Sequence, residues 1–486
     1  MKIGYDASRA FVPEATGTEN YSLNLLKALA KVDRKNQYRV YLRVGASFMV
    51  NGSSGKTSKK IPMNDKRLTI NFNWPSNFEF KVIRPSRLWT QIGLALETWR
   101  NPVDLLFVPA HTLPILRRRR LIVNSSWLMG KIQKTEGKSP MNHKPSTINS
   151  PKYVVTIHDL GVEYLPGYHQ FPQRYYLDLT SRYAARFADA IIAVSAATKR
   201  DLVNRYGIDG KKIFVVHEGV DTDFFKPRTK DEVLRVKSKY KIKGDYILFV
   251  GTIQPRKNLQ MLIEAFSLLV NRSSLMVHRR TVRANPINDK LSTTNLIIAG
   301  KLGWDYVDIL AAPRKFGVSD RVKFLGHVAG SDLPALYSGA SVFAFPSLFE
   351  GFGLPILEAL ACGCGVIASD IAPHREILRK ISNVKFQMSS FDFTQDDPEF
   401  TEGSNFKFNS KSLEIGNWKL EIPSSRELGV PMILTKVDDP DEWANVLYQY
   451  ISQSRQNISI KTNLASKFSW IETARNTLEV FSKVLQ

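Results

Sequence analysis

Cysteine is nearly missing from this chain of 486 residues, which has only Cys362 and Cys364. A disulfide between residues two apart in one apolar segment is sterically disfavoured, and a metal held there would lack further thiol ligands. They read as small core residues, a usage that suits a reducing cytoplasm. No run of about 18 apolar residues escapes a charge, so no transmembrane helix is expected. The start MKIGYDASRAF lacks the basic and apolar regions of a secretory signal. No G-x-G-x-x-G follows an early strand and no G-x-x-x-x-G-K-[ST] occurs, which weakens dehydrogenase and P-loop readings. Repeats with a period of 20 to 50 residues are also lacking. Acidic residues are in deficit, 45 against 68 Lys and Arg, for a net charge of +23. That balance implies attraction to polyanions: nucleic acid, an anionic membrane surface or phosphorylated substrates. No recognised nucleic-acid module accompanies the charge, so nucleic acid is not an expected partner.

With 43% apolar and 23% charged residues, the composition is that of a folded globular protein. The length exceeds what one core serves, so two domains are expected. Short apolar runs alternate with helical stretches: Lys2–Tyr5, Tyr38–Leu42, Leu105–Val108, Tyr153–Ile157, Ala190–Val194 and Ile213–His217. After a charged connection the pattern restarts with Tyr246–Val250, Leu296–Ala299, Val322–Leu325, Val342–Phe345 and Val366–Ala368. Such alternation signals two α/β domains with parallel, doubly wound sheets, divided near Val220. Polar excursions at about 46–66, 117–150, 271–294 and 385–430 interrupt it. The second opens with Arg117–Arg120 and adds Lys131, Lys134, Lys138 and Lys144 against the single acid Glu136. It reads either as a solvated loop or as an electrostatic dock for anionic lipid headgroups.

In PSLFEGFGLPILEALACGCG a strand ending at Phe345 runs into a Gly-rich turn and then a helix with Pro355 in its first turn. The backbone N–H groups of Gly351, Phe352, Gly353 and Leu354, at a helix N-terminus, suit the oxygens of a diphosphate. Glu350 precedes the helix, and Glu358 within it can accept hydrogen bonds from vicinal hydroxyls such as those of a ribose. In FVGTIQPRKNLQMLIEAF, Arg256 and Lys257 follow a buried strand and make an anion site, a bidentate cation beside a compact one. VVTIHDLG ends a strand at His158-Asp159, at the sheet edge where α/β proteins collect ligands. His111 in VPAHTLP stands at another strand end, either lining an acceptor pocket or serving as a hydrogen-bonded structural histidine. Gly17-Thr18 open a helix whose N-terminus can face phosphates. Asp221-Thr222-Asp223 spells a metal-binding D-x-D string but falls in the connection between the domains. No metal and no resident cofactor are expected.

EGFGLPILEA resembles the spaced-glutamate motif, E-x7-E, of the retaining family 4 glycosyltransferases, with Glu350 and Glu358 at its ends. The resemblance implies that Glu350 sits by the donor sugar, Glu358 binds the nucleotide ribose, and Arg256 and Lys257 bind the donor diphosphate. By the same resemblance His158 lies near the transferred sugar as a polar contact or catalytic contributor, with Asp159 orienting it. DASRAF, GTENY, VSAATKRDL, VVHEGVDTDFF and FSWIETARNTLEVF also resemble recurrent family segments. Thr252 and Asn20 depart from frequent family arginines. The subgroup most similar in pattern is the mannosyltransferase-like enzymes of O-antigen and polysaccharide assembly.

The resemblance implies the GT-B fold, two Rossmann-like domains facing a cleft. The expected division is 1–220 for acceptor binding, 221–465 for nucleotide-sugar binding, and 466–486 as a helix returning to the N-terminal domain. The implied function is metal-independent transfer of a hexose from a nucleotide-diphosphate sugar, with GDP-mannose the first expectation, to a glycan or lipid-linked acceptor. The place implied is the cytoplasm, at the inner face of the membrane. The rivals are a sugar-nucleotide isomerase or phosphorylase on the same fold, and a non-catalytic nucleotide-sugar or polyanion-binding protein.

Overall fold

The structure, a computed structural model, describes residues 1–12, 17–43, 72–84, 89–116, 151–161, 173–279, 293–381, 406–409, 412–415, 418–421, 432–452 and 464–486. The excursions expected at 46–66 and 117–150 lie outside these residues, as do most of 271–294 and 385–430. The chain divides into two compact units. One gathers Met1–Glu163, Gln170–Glu218 and Trp470–Gln486, and the other is built on Gly219–Ser469.

In the first unit seven strands form one sheet: β1 (Lys2–Asp6), β2 (Gln37–Arg43), β3 (Phe78–Ile83), β4 (Leu105–Val108), β5 (Lys152–Ile157), β6 (Ala190–Ala193) and β7 (Ile213–Val215). Every pairing is parallel and the order is β3-β2-β1-β4-β5-β6-β7. The central strands are continuous apolar runs because helices cover both faces of such a sheet, leaving no solvent side. Leu105, Leu106 and Phe107 are fully buried, and burial of each large apolar side chain contributes about 1.5–3 kcal/mol. Strand β3 escaped the sequence reading because FEFKVI, at the sheet edge, mixes charged residues into the pattern and is only partly buried. The last helix, Trp470–Leu485, packs with Tyr21 of the helix Gly17–Val32, their rings 5.7 Å apart.

The second unit holds β8 (Tyr246–Val250), β9 (Asn295–Ala299), β10 (Val322–Gly326), β11 (Val342–Phe345) and β12 (Val366–Ser369). A small antiparallel sheet follows, β13 (Phe406–Asn409), β14 (Ser412–Ile415) and β15 (Trp418–Glu421), inside the segment expected to be a polar excursion. Strand β16 (Met432–Thr435) then joins the main sheet, ordered β10-β9-β8-β11-β12-β16 and wholly parallel. In both units the chain first builds outward to one side and then returns to build the other. The reversal falls between β1 and β4 in the first sheet and between β8 and β11 in the second. Crevices form where successive crossovers leave in opposite directions, so these are the two places where a ligand is expected.

Candidate functional site

Each reversal point carries a cluster of the residues singled out in the sequence. In the second unit, β8 runs through Gly251 into a single tight turn, Pro255–Lys257, closed by Asn258 in a left-handed conformation at φ 53°. Gly300, after β9, is pressed against that turn: a Cβ there would lie 1.8 Å from the Gly251 carbonyl oxygen. The loop after neighbouring β11 is tied to the same turn, the Leu348 amide donating to the Arg256 carbonyl at 2.9 Å. Arg256, Lys257 and Glu350 therefore converge at the carboxyl ends of adjacent strands.

Lys257 Nζ donates to Glu350 Oε1, and Arg256 Nη1 stands 3.7 Å from Glu350 Oε2. Lys257 Nζ also lies 4.9 Å from the centre of the Phe345 ring. All three side chains are largely buried. Burial alone would raise the Glu350 pKa, but the charges of Lys257 and Arg256 win and hold it at about 2. The carboxylate is thus ionised at every physiological pH and serves as the counterion of both cations.

Glu350 leads into the helix Leu354–Ala361, which has Pro355 in its first turn and Gly353 as N-cap at φ 126°. That dihedral is closed to ordinary L residues, which is why glycine stands there. Phe352 is buried and edge-on to Phe468. Four residues into the helix, Glu358 is half-buried and accepts from the Tyr337 hydroxyl at 3.0 Å. Cys362 and Cys364 form no disulfide among the described residues and are buried, and burial pushes the Cys362 thiol up, so they act as core residues.

In the first unit, His158 lies just past β5, His111 past β4, and Gly17 and Thr18 at the start of Gly17–Val32 after β1. A Cβ on Gly17 would meet nothing within 4 Å among the described residues. His158 Nδ1 is 3.0 Å from Glu218 Oε1 and Nε2 is 3.2 Å from the Pro109 carbonyl oxygen. Tyr21 packs perpendicular to the imidazole at 4.6 Å. His111 stays neutral at ordinary pH, since burial, and then the charges of Arg9 and His158, depress its pKa to about 4. Its Nδ1 is buried without a hydrogen-bond partner among the described residues.

The residue that grips His158 differs from the expectation. Asp159 accepts from the Gly161 amide at 3.0 Å and closes its own turn, whereas Glu218 takes the ring nitrogen. Sequence reasoning missed Glu218 although HEG directly follows a strand run. An acid three residues past a strand is unremarkable until the sheet order brings β7 within reach of β5. The D-x-D string is a turn, Asp221 Oδ1 accepting from the amides of Asp223 and Phe224.

Residues 230–384 match the family model of glycosyl transferases group 1 and residues 143–224 that of glycosyltransferase family 4. The two matches support a glycosyltransferase of the GT-B type. The chain is 28% identical over 277 residues to the O-antigen chain mannosyltransferase B of Escherichia coli, covering 55% of this chain and 67% of that protein. It is 35% identical over 191 residues to a D-inositol 3-phosphate glycosyltransferase of Salinispora tropica, 38% of this chain and 37% of the relative. Among solved structures, Anabaena Alr3699/HepE in complex with UDP-glucose matches with a TM-score of 0.57 at 18% identity, over 99% of this chain and all of that one. WaaG, a glycosyltransferase of lipopolysaccharide biosynthesis, matches at 0.53 and 13% identity, over 99% of this chain and 95% of its own. These likenesses to solved structures establish the fold, and the two parallel sheets are those of GT-B.

Proposed function

We propose that this glycosyltransferase moves a hexose, with retention and without a metal, from a nucleotide-diphosphate sugar to a hydroxyl of a glycan or lipid-linked acceptor. The observation that carries the reading is the convergence of Arg256, Lys257 and Glu350 at the β8–β11 reversal, with Glu358 one helical turn beyond. Two cations at the helix Leu354–Ala361 receive the diphosphate, and its charge grows as the bond to the anomeric carbon breaks. Preorganised positive charge that meets this growing negative charge is commonly the largest catalytic term. The acceptor oxygen forms its bond to the anomeric carbon, the electron pair of the broken bond stays on the phosphate oxygen, and that oxygen takes the acceptor's proton. No protein base is needed.

Mannose is the sugar proposed, supported by the name of the E. coli relative, with guanosine diphosphate as leaving group. The UDP-glucose complex of Alr3699/HepE makes uridine sugars the necessary comparison. Synthesis of a surface polysaccharide or glycolipid, at the cytoplasmic face of a membrane, is the proposed setting. No described helix is long and apolar enough to cross one.

The test is a panel of nucleotide sugars, GDP-mannose and UDP-glucose included, with lipid-diphosphate acceptors, with and without chelator. Transfer that survives the chelator is expected. Absence of transfer across the panel would sink the proposal, and chelator-sensitive transfer would sink its metal independence. The two glutamates should fail differently. Glu358→Ala should weaken nucleotide binding about tenfold, the loss of roughly one charged hydrogen bond. Glu350→Ala should depress kcat more than it weakens binding of the nucleoside diphosphate, because it leaves Arg256 and Lys257 available to phosphate.

A further inference from the structure

His158 sits between two groups that only accept hydrogen bonds. A carboxylate oxygen of Glu218 faces Nδ1 at 3.0 Å and the carbonyl oxygen of Pro109 faces Nε2 at 3.2 Å. A neutral imidazole has one N–H and one bare nitrogen, so either tautomer would set a lone pair against an acceptor oxygen. With Glu218 ionised, only the imidazolium satisfies both contacts. We propose that Glu218 is a positioning residue that holds His158 as a doubly protonated imidazolium, so that this histidine offers a ligand a hydrogen-bond donor and cannot act as a base. The inference rests on the glycosyl-transfer reading for what the donor meets, but the protonation state stands on the contacts alone.

The surroundings reinforce the arrangement. Tyr21 blocks one side of the ring and is itself pinned to Thr156 at 3.2 Å, while Thr198 Oγ1 donates to the His158 carbonyl. The strand end bearing Glu218 is fastened by Thr473 of the last helix, whose hydroxyl donates to the His217 carbonyl at 2.9 Å. Glu218 is buried, so its attraction for the ring is poorly screened by water. The titratable groups acting on His158 are Glu218 beyond β7, Asp159 at its own strand end, His111 beyond β4 and Tyr21 on Gly17–Val32. His111 is neutral, and burial holds the Tyr21 phenol far above its usual range, so neither offers a counterion. Burial of His158 favours the neutral ring, but the hydrogen bond and charge of Glu218 outweigh it and raise the pKa. The bond to Pro109 is the replaceable one: a substrate oxygen can take over the Nε2 proton while Glu218 keeps its hold on Nδ1.

The experiment is an NMR titration of full-length protein labelled with 15N-histidine, with His158 assigned by the signals lost in His158→Asn, run beside the pH profile of transfer. Wild type should keep two protonated ring nitrogens to higher pH than an ordinary histidine, whose pKa is about 6.5. Glu218→Gln keeps an acceptor oxygen and removes the charge. It should lower the midpoint by at least about one unit, as loss of a close opposite charge does, and draw the alkaline limb of kcat down with it. Below that midpoint its rate should return to the wild-type value, whereas a merely structural defect would persist at every pH. Glu218→Asp should restore most of the shift. A wild-type His158 that is neutral at pH 7.5, or a midpoint indifferent to Glu218→Gln, overturns the inference even if transfer proceeds. A doubly protonated ring with no transfer from any nucleotide sugar overturns the functional reading and leaves the protonation state standing. Should Glu218→Gln fail to fold, the wild-type titration decides alone.

Discussion

At the scale of single residues, the buried trio Arg256, Lys257 and Glu350 joins catalytic assignment to stability. Glu350 titrates near 2 in the folded chain against an ordinary value of 4.5, so the folded state binds its proton less readily than the unfolded state. A depressed carboxylate contributes stability that is complete above the unfolded pKa and is lost as pH falls through the folded one. The difference is worth about 3 kcal/mol at neutral pH. Urea denaturation of wild type should therefore show falling stability between about pH 4.5 and 2. Glu350→Gln should show a shallower fall from a lower start, since it strands two buried cations, at a cost of about 3–5 kcal/mol near pH 7. Identical slopes for the two proteins would contradict the ion-pair account. The chemistry of this trio was legible because Arg256 and Lys257 directly follow a buried strand and Glu350 directly precedes a helix. The pairing itself was not, because residues 93 positions apart meet only through the order of the sheet. Glu218 was hidden for the same reason, 60 positions from the histidine it holds.

Among the elements, strands with fully apolar runs, such as β4, β8 and β11, could be placed from the sequence to the residue. The edge strands β3 and β16 could not, although the edges β7 and β10 could: charged residues dilute the pattern of β3. Met432–Thr435 also follows a long polar segment that gives no warning of a strand. The turn after β8 depends on a glycine from another loop. Gly300 lies at φ 155°, and its missing side chain lets the Gly251 carbonyl approach. Gly300→Ala must move the backbone that delivers Arg256 and Lys257. Its expected cost is about 2 kcal/mol or more, combining overpacking with an unfavourable dihedral. Calorimetry should show a lower Tm, and titration with the nucleoside diphosphate should show weaker binding than wild type. A Gly300→Ala protein that matches wild type in both would mean the turn does not need that close approach.

For the whole molecule, the excess of 68 basic over 45 acidic residues is larger than a diphosphate site requires. Part of it falls in Arg117–Arg120 and the lysines up to Lys144, outside the described residues. The described chain leading into that run ends with Ile115 and Leu116 exposed, and the same unit exposes Ile92, Leu96 and Trp99 around the helix Ala95–Arg100. Apolar side chains beside a cluster of cations are the two ingredients of interfacial binding, one entering the headgroup layer and the other attracted to its charge. With each basic residue near an anionic surface worth about 1 kcal/mol, four arginines are enough to decide whether a chain of this charge stays bound. In a flotation assay, binding should rise with the fraction of anionic lipid. It should weaken as salt shortens the screening length to about 10 Å and below. Replacing Arg117–Arg120 with glutamate should release the protein from the vesicles while leaving transfer to a soluble acceptor intact. Binding that is indifferent to anionic lipid, or that survives those replacements unchanged, would remove the electrostatic reason for placing this enzyme at a membrane face.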